Sequence, residues 1–147
     1  MQDLWNFALE LYARPGVEQA CLQLQDAGGD VCLLLTGAWL QRRGVLSKES
    51  RLRELRDLAE PWQQEMVMPL RQLRQHWRNA AQQDADWATL REQLKKLELQ
   101  AERVLLEQLQ ALAENWPDGE AEDDWLSALA GQDSAALQVL RGAIRGL

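Results

Sequence analysis

Apolar residues along this chain recur every three or four positions and almost nowhere at every second one. That spacing marks amphipathic helices and argues against half-buried strands. Leu4, Phe7, Ala8 and Leu11 form the first such face over about residues 3–13, with Asp3 placed as its N-cap. Arg14-Pro15 breaks this helix, because proline disfavours helical geometry at the residue before it. Pro15 then suits the first turn of a second helix, which carries Val17, Ala20, Cys21 and Leu24 and stops at Gly28-Gly29. Asp30 is placed to cap a third helix reaching about Arg43. Its Val-Cys-Leu-Leu-Leu opening is apolar nearly all round, which predicts burial on most sides. Gly37 in its interior is about 1 kcal/mol less favourable than Ala, and its presence predicts the close approach of a neighbouring helix.

A fourth segment starting near Ser47 turns Leu52, Leu55 and Leu58 inward and Arg51, Arg53 and Arg56 outward. Glu60-Pro61 is expected to interrupt it, with a fifth helix opening at Pro61-Trp62 and kinking at Pro69. Leu70, Leu73, Trp77 and Ala80 or Ala81 continue its apolar stripe. The longest pattern runs over about residues 86–115 through Leu90, Leu94, Leu97, Ala101, Leu105, Leu109, Leu112 and Trp116. At 1.5 Å per residue this helix spans roughly 45 Å, and a short polar turn near residues 82–85 makes it antiparallel to the fifth. Pro117-Asp118-Gly119 ends it, residues 120–124 read as a solvated acidic linker, and Trp125, Leu126 and Leu129 form a short apolar turn. Asp133 is expected to cap a last helix lined by Leu137, Leu140, Ile144 and Leu147. The predicted fold is all-α: a compact multi-helix bundle over residues 1–116, with a long antiparallel hairpin. Residues 117–147 add the acidic linker and a short amphipathic helical tail.

Composition narrows the function classes. The longest apolar run, Val31 to Leu40, falls well short of the roughly 20 residues that cross a bilayer. The amino terminus lacks a basic stretch ahead of an apolar one, so a cytoplasmic location is expected. The net charge of −7 is unevenly spread. It is −4 over residues 1–41, +4 over 42–78 and −7 over 79–147. Only the middle third is suited to a polyanion, so nucleic acid is disfavoured as a partner.

Candidate chemistry is sparse. Cys21 and Cys32 sit in apolar helical patterns and read as reduced, buried thiols. His76 stands alone, with no C-x-x-C pair and no Glu-x-x-His motif, so neither a metal nor any other cofactor is expected. Glu10, Glu98 and Glu102 are the carboxylates on offer for paired acid–base work, yet Glu92, Glu98 and Glu102 lie off the apolar stripe of their helix and read as surface charges. Helix capping accounts for Ser47 and Ser50. Arg71, Arg74 and Arg78 fall on one helix side, either as an anion-binding stripe or as solvated stems covering apolar surface. Seven tryptophans stand against one Phe and one Tyr. Trp5, Trp39, Trp62 and Trp77 are read as core, while Trp87 and Trp116 bracket the long helix. Charge complementarity suggests that the tail folds back, Trp125 and the Leu137/Leu140/Ile144 stripe covering an apolar surface beside the arginines.

The run from Leu4 to Val17, with Ala20 to Asp26, Asp30 to Leu35, Ala38-Trp39-Leu40, Trp62 through Pro69-Leu70-Arg71 and Leu97 to Glu102, resembles a proteobacterial family of short helical proteins of unknown function. The resemblance covers roughly residues 4–113. It implies an intracellular helical domain and brings no activity, cofactor or catalytic residue with it.

The leading expectation is a non-enzymatic interaction or regulatory protein that binds another protein through a helical face. Arg71, Arg74, Arg78, Trp125 and Leu129 are the candidate contact residues, and a homodimer through the hairpin is one arrangement open to it. A small-ligand binder or enzyme with a Trp-lined cleft and an Arg anion anchor is the first alternative. A weak nucleic-acid or polyanion binder using the Arg-rich middle is the second.

Overall fold

The computed structural model describes residues 2–147, and every regular element among them is helical. α1 spans Leu4–Tyr12, α2 Val17–Asp26 and α3 Val31–Arg42. The expected caps hold the first and third: Asp3 accepts the Asn6 N–H, and Asp30 accepts the Leu33 N–H. The break at Pro15 differs slightly, since α2 is entered from Gly16 at φ +80° and Pro15 lies outside the helix.

α4, Glu49–Trp62, runs straight through Pro61, so the expected interruption does not occur. The adjustment comes after it, in a single π-helical turn, Gln63–Val67, where the Met68 N–H reaches back to Gln63 O. α5, Met68–His76, follows with Pro69 in its first turn. A proline inside a helix cannot donate to the carbonyl four residues back and crowds it. Widening the preceding turn relieves that crowding, and such π-bulges are frequent at functional sites. Ser47 is not a cap. Lys48 occupies the position without a side-chain bond, and the Ser47 N–H donates to Asp123 across the fold.

α6, Arg78–Gln83, and α7, Ala85–Ala113, complete the hairpin, with Asp84 capping α7. Trp62 meets Ala101, Arg74 meets Arg91 and Trp77 meets Trp87, so the two arms run antiparallel. α8, Trp125–Ala130, and α9, Ala135–Arg145, form the tail. Ser134 caps α9, not Asp133. Asp133 instead accepts from the Ser134 N–H and from Arg141.

α3 is the central element. Cys32 through Leu40 are all buried in it, between α1, α7, α4 and the tail helices. One buried cluster joins Leu4, Leu11, Leu40, Leu55 and Leu109 to Trp125, Leu137 and Leu140 of the tail. Gly37 admits this contact. A Cβ at that position would stand 2.7 Å from Leu129 Cδ1 and 3.5 Å from Trp125 Cβ.

The segment before α8 is exposed along most of its length, as expected, yet its backbone is tied to the end of α3. Gly119 N–H donates to Arg43 O and Ala121 N–H to Gly44 O, both at 3.1 Å. Gly44 has φ +67°, and a Cβ there would strike the Gly119 carbonyl, so only glycine fits the crossing. Arg43 closes it from the other side. Its guanidinium pairs with Asp118 at 2.5 Å, donates to the Ala113 and Trp116 carbonyls at the end of α7, and lies over Trp39.

Candidate functional site

The arginine stripe and the glutamates read as surface charges face one another. Arg74 Nε donates to Glu98 Oε1 at 2.6 Å, and Arg71 Nε donates to Glu98 Oε2 at 3.3 Å. Arg71 Nη2 also stands 3.5 Å from Glu102 Oε1. Glu98 is buried between α5 and α7, which corrects its reading as a surface charge. One helical turn after Leu94 and one before Ala101 and Glu102, it lies in the middle of the α7 face that meets α5. An anion anchor at Arg71 or Arg74 therefore finds its charge already answered within the hairpin. Arg78, one turn further out, is exposed and has no ion pair among the described residues.

The other proposed contact residues lie inside the fold. Trp125 is fully buried, its Nε1–H donates to Val45 O at 2.8 Å, and its ring stacks on Trp116 with centroids 6.2 Å apart. It cannot meet a partner while the tail is seated. Leu129 is half-buried over Gly37. The tail thus folds back onto α3 and α2, where its polar partners are Arg42, Arg43 and Arg56. The arginines of α5 are not among them.

A hollow of about 250 Å³ opens beside the Arg71–Glu102 pair. Its walls come from α1 (Trp5, Ala8, Leu9, Tyr12), α3 (Val31, Cys32, Leu35) and α7 (Leu99, Glu102, Leu106), with Gln63 of the π-turn and Arg71 closing one side. Leu9 and Leu99 are half-exposed and stand at its mouth. The hollow shares Gln25, Gly29, Gln63 and Arg71 with a wider, more polar groove that runs past Arg56, Asp133 and Ser134.

The π-turn fixes the polar end of this hollow. Gln63 Nε2 donates to Asp30 Oδ1 at 2.9 Å, the same oxygen that caps α3. Trp62 next to it donates to the Ala101 carbonyl, clamping the turn against α7. Burial raises the Asp30 carboxyl above its usual range. Burial and then the neighbouring Glu98 carboxylate do the same to Glu102. Burial pushes the Tyr12 hydroxyl far up, helped by Cys21, and lifts the Cys32 thiol well above its ordinary value. At neutral pH, Tyr12 and Cys32 are therefore protonated. They offer hydrogen bonds and polarisable surface rather than nucleophiles. No group of three His, Cys, Asp or Glu side chains among the described residues has the arrangement of a metal site.

Sequence reasoning missed Tyr12, Cys32, Gln63 and Glu102 as neighbours. The one available signal was the pair of arginines on α5, which had to find carboxylates on whichever helix lay opposite.

At its far end the hairpin leaves the bundle. Leu73, Leu90 and Leu97, counted inward by periodicity, are about half exposed, as is Trp87, whose edge meets Trp77 at 5.7 Å. α5 and α6 pack on α7, and the half-exposed leucines form an apolar shoulder.

Residues 3–109 match the family described as "Protein of unknown function (DUF2390)", a stretch that contains every wall residue of the hollow and the whole hairpin interface. No curated protein and no solved structure matches the chain.

Proposed function

The chain belongs to this family of unknown function, and from that premise we propose that it is a non-enzymatic binding protein whose ligand is a small, largely apolar molecule seated in the hollow between Trp5, Tyr12, Leu35 and Glu102. The observation that carries this reading is the hollow itself. It measures about 250 Å³, opens between Leu9 and Leu99, and brings a phenol, a thiol, a guanidinium and a carboxyl into an otherwise largely apolar lining. Mostly apolar walls with a few convergent polar groups are the usual form of a ligand pocket. At a liquid-water share of roughly 30 Å³ each, the space equals about eight waters, which limits the ligand to something of that order in non-hydrogen atoms.

Ala8→Leu places extra bulk in the hollow from α1, where Ala8 is already buried. A thermal-shift and calorimetric screen of small organic probes should give hits on the wild-type chain that disappear in this variant, with the helical circular dichroism unchanged. A screen without hits, or hits that survive the filling, rejects the reading.

A second reading rests on the exposed edge of the hairpin, Leu73, Leu90 and Leu97. It is a protein contact whose occupant is a second copy of this chain. Gln93 and Gln100, each one helical turn after one of the two α7 leucines, are uncharged. Two such edges therefore meet with less of the repulsion that a net charge of −7 imposes elsewhere. Light scattering behind size exclusion should give a dimer that Leu90→Glu converts to monomer; a wild-type monomer at high concentration rejects it.

A further inference from the structure

The charged groups facing the hollow say what kind of head group it accepts. Arg71 and Glu102 both line it, and Arg71 Nη2 stands 3.5 Å from Glu102 Oε1, an ion pair too long to be a good hydrogen bond. The stronger bonds of this cluster lie deeper, where Glu98 takes Nε–H groups from both Arg71 and Arg74. Among the described residues, Glu102 Oε1 meets Arg71 Nη2 at the limit of hydrogen-bond length, while Glu102 Oε2 and Arg71 Nη1 have no side-chain partner. The pair thus keeps one spare acceptor and one spare donor, Glu102 Oε2 and Arg71 Nη1, in a hollow walled largely by apolar side chains such as Trp5, Leu9, Leu35 and Leu106.

A ligand head with a single charge suits this wall poorly. A carboxylate satisfies Arg71 but meets Glu102, and an ammonium satisfies Glu102 but meets Arg71. In a site of low dielectric, such like-charge contacts are expensive. A head that places a donor beside an acceptor, with no net charge, answers both.

We propose, resting on the ligand-binding reading above, that the hollow selects a short apolar molecule with a net-neutral donor–acceptor head, of the primary carboxamide type, its N–H on Glu102 and its oxygen on Arg71. Tyr12, Gln25 and Gln63 also line the hollow and add uncharged polar groups to it. An α-amino acid zwitterion presents the same pairing of donor and acceptor, and the test below separates it from the carboxamide.

Calorimetric titration of the full chain compares pentanamide, pentanoate, pentylammonium and norleucine. The expected order puts a net-neutral head at least tenfold tighter than either ion. Tighter pentanamide assigns the carboxamide, and tighter norleucine the zwitterion. Glu102→Gln removes the carboxylate that repels an anion at Arg71 and should move the preference toward pentanoate. Arg71→Gln should move it the opposite way, toward pentylammonium, so the two variants test the idea independently. The inference is overturned if an ion binds the wild type as tightly as the neutral heads, or if neither substitution moves the order. Equal binding of all four heads overturns it too while leaving the hollow as a ligand site. Silence from all four, together with a blank screen, removes the ligand-binding reading itself.

Discussion

Glu98 Oε1 accepts the Nε–H of Arg74 at 2.6 Å, in a hairpin interior where Glu98 is only 7% exposed. Arg71 donates to the other oxygen of the same carboxylate, so one buried acid of α7 holds two arginines of α5. Removing one partner of such an arrangement leaves the rest desolvated and unanswered. Glu98→Ala should destabilise the fold by about 2–4 kcal/mol, the lower part of the range reflecting the solvent that still reaches Arg74. Urea unfolding of the variant measures this, and a loss under about 1 kcal/mol would place the pair with ordinary surface bridges.

The crossing of residues 43–45 with 117–121 depends on two backbones touching. Gly44→Ala adds a Cβ against the Gly119 carbonyl and does so at φ +67°. Backbone cannot swing aside as a side-chain tip can. The left-handed conformation alone costs about 1 kcal/mol for Ala, and the clash should bring the loss to roughly 2–4 kcal/mol. Gly37→Ala offers the contrast. There the nearest atom is the end of the Leu129 side chain, and the helix gains about 1 kcal/mol of propensity, so its melting point should barely move.

Trp125 fills the core and donates to Val45 O from its indole N–H. Trp125→Ala should lose about 3–5 kcal/mol. Deleting residues 117–147 should go further and uncover the tail-facing side of α3, read as a lower melting point and increased binding of a hydrophobic dye. An unchanged melting point with no dye uptake and no association would show that α3 does not need the tail.

Glu102 carries a pH signature. Its carboxyl is raised in the folded state by burial and by Glu98. A raised carboxyl contributes stability fully below its unfolded pKa, near 4.5, and that contribution is lost as pH rises through the folded value. Glu102→Gln does not titrate. The melting temperature of the variant minus that of the wild type should therefore grow as pH rises above 4.5, and a flat difference would contradict the shift.

The tail shows the opposite sign. Arg141 holds the Asp133 carboxyl down, and Asp124 also sits low because bonds from Ser127 and Arg141 outweigh the effect of burial. Lowered carboxyls contribute stability above their unfolded pKa and lose it as pH falls through the folded one. Arg141→Ala should therefore melt below the wild type at neutral pH, with the gap closing in acid below the ordinary Asp range. A gap that persists there would assign the effect to packing of the Arg141 stem.

Helix positions were legible wherever the signal is local. Asp3 and Asp30 cap as expected, Gly28-Gly29 and Gly44 stop helices, and Gly37 marked a close contact that Leu129 now fills. Features set by the register between distant segments were not legible. Leu97 and Glu98 are adjacent on α7, and hydrophobicity counted the leucine inward. Opposite Arg71 and Arg74, the glutamate takes the inner position and Leu97 stays half-exposed. Likewise a proline announces a break, but nothing local shows that Pro61 rides within α4 while the chain widens into a π-turn just ahead of Pro69. The hollow is less legible still, because a void is a shape left by three helices and belongs to no single one of them.

α3 is greasy on nearly every side, and its last walls are α8 and α9, translated only after all of α4 through α7. A ribosome making this chain therefore holds a sticky helix in the open while most of the protein is still being made. Intermediate lengths of the nascent polypeptide are the ones to which a chaperone should bind, and release should come once both tail helices have cleared the exit tunnel.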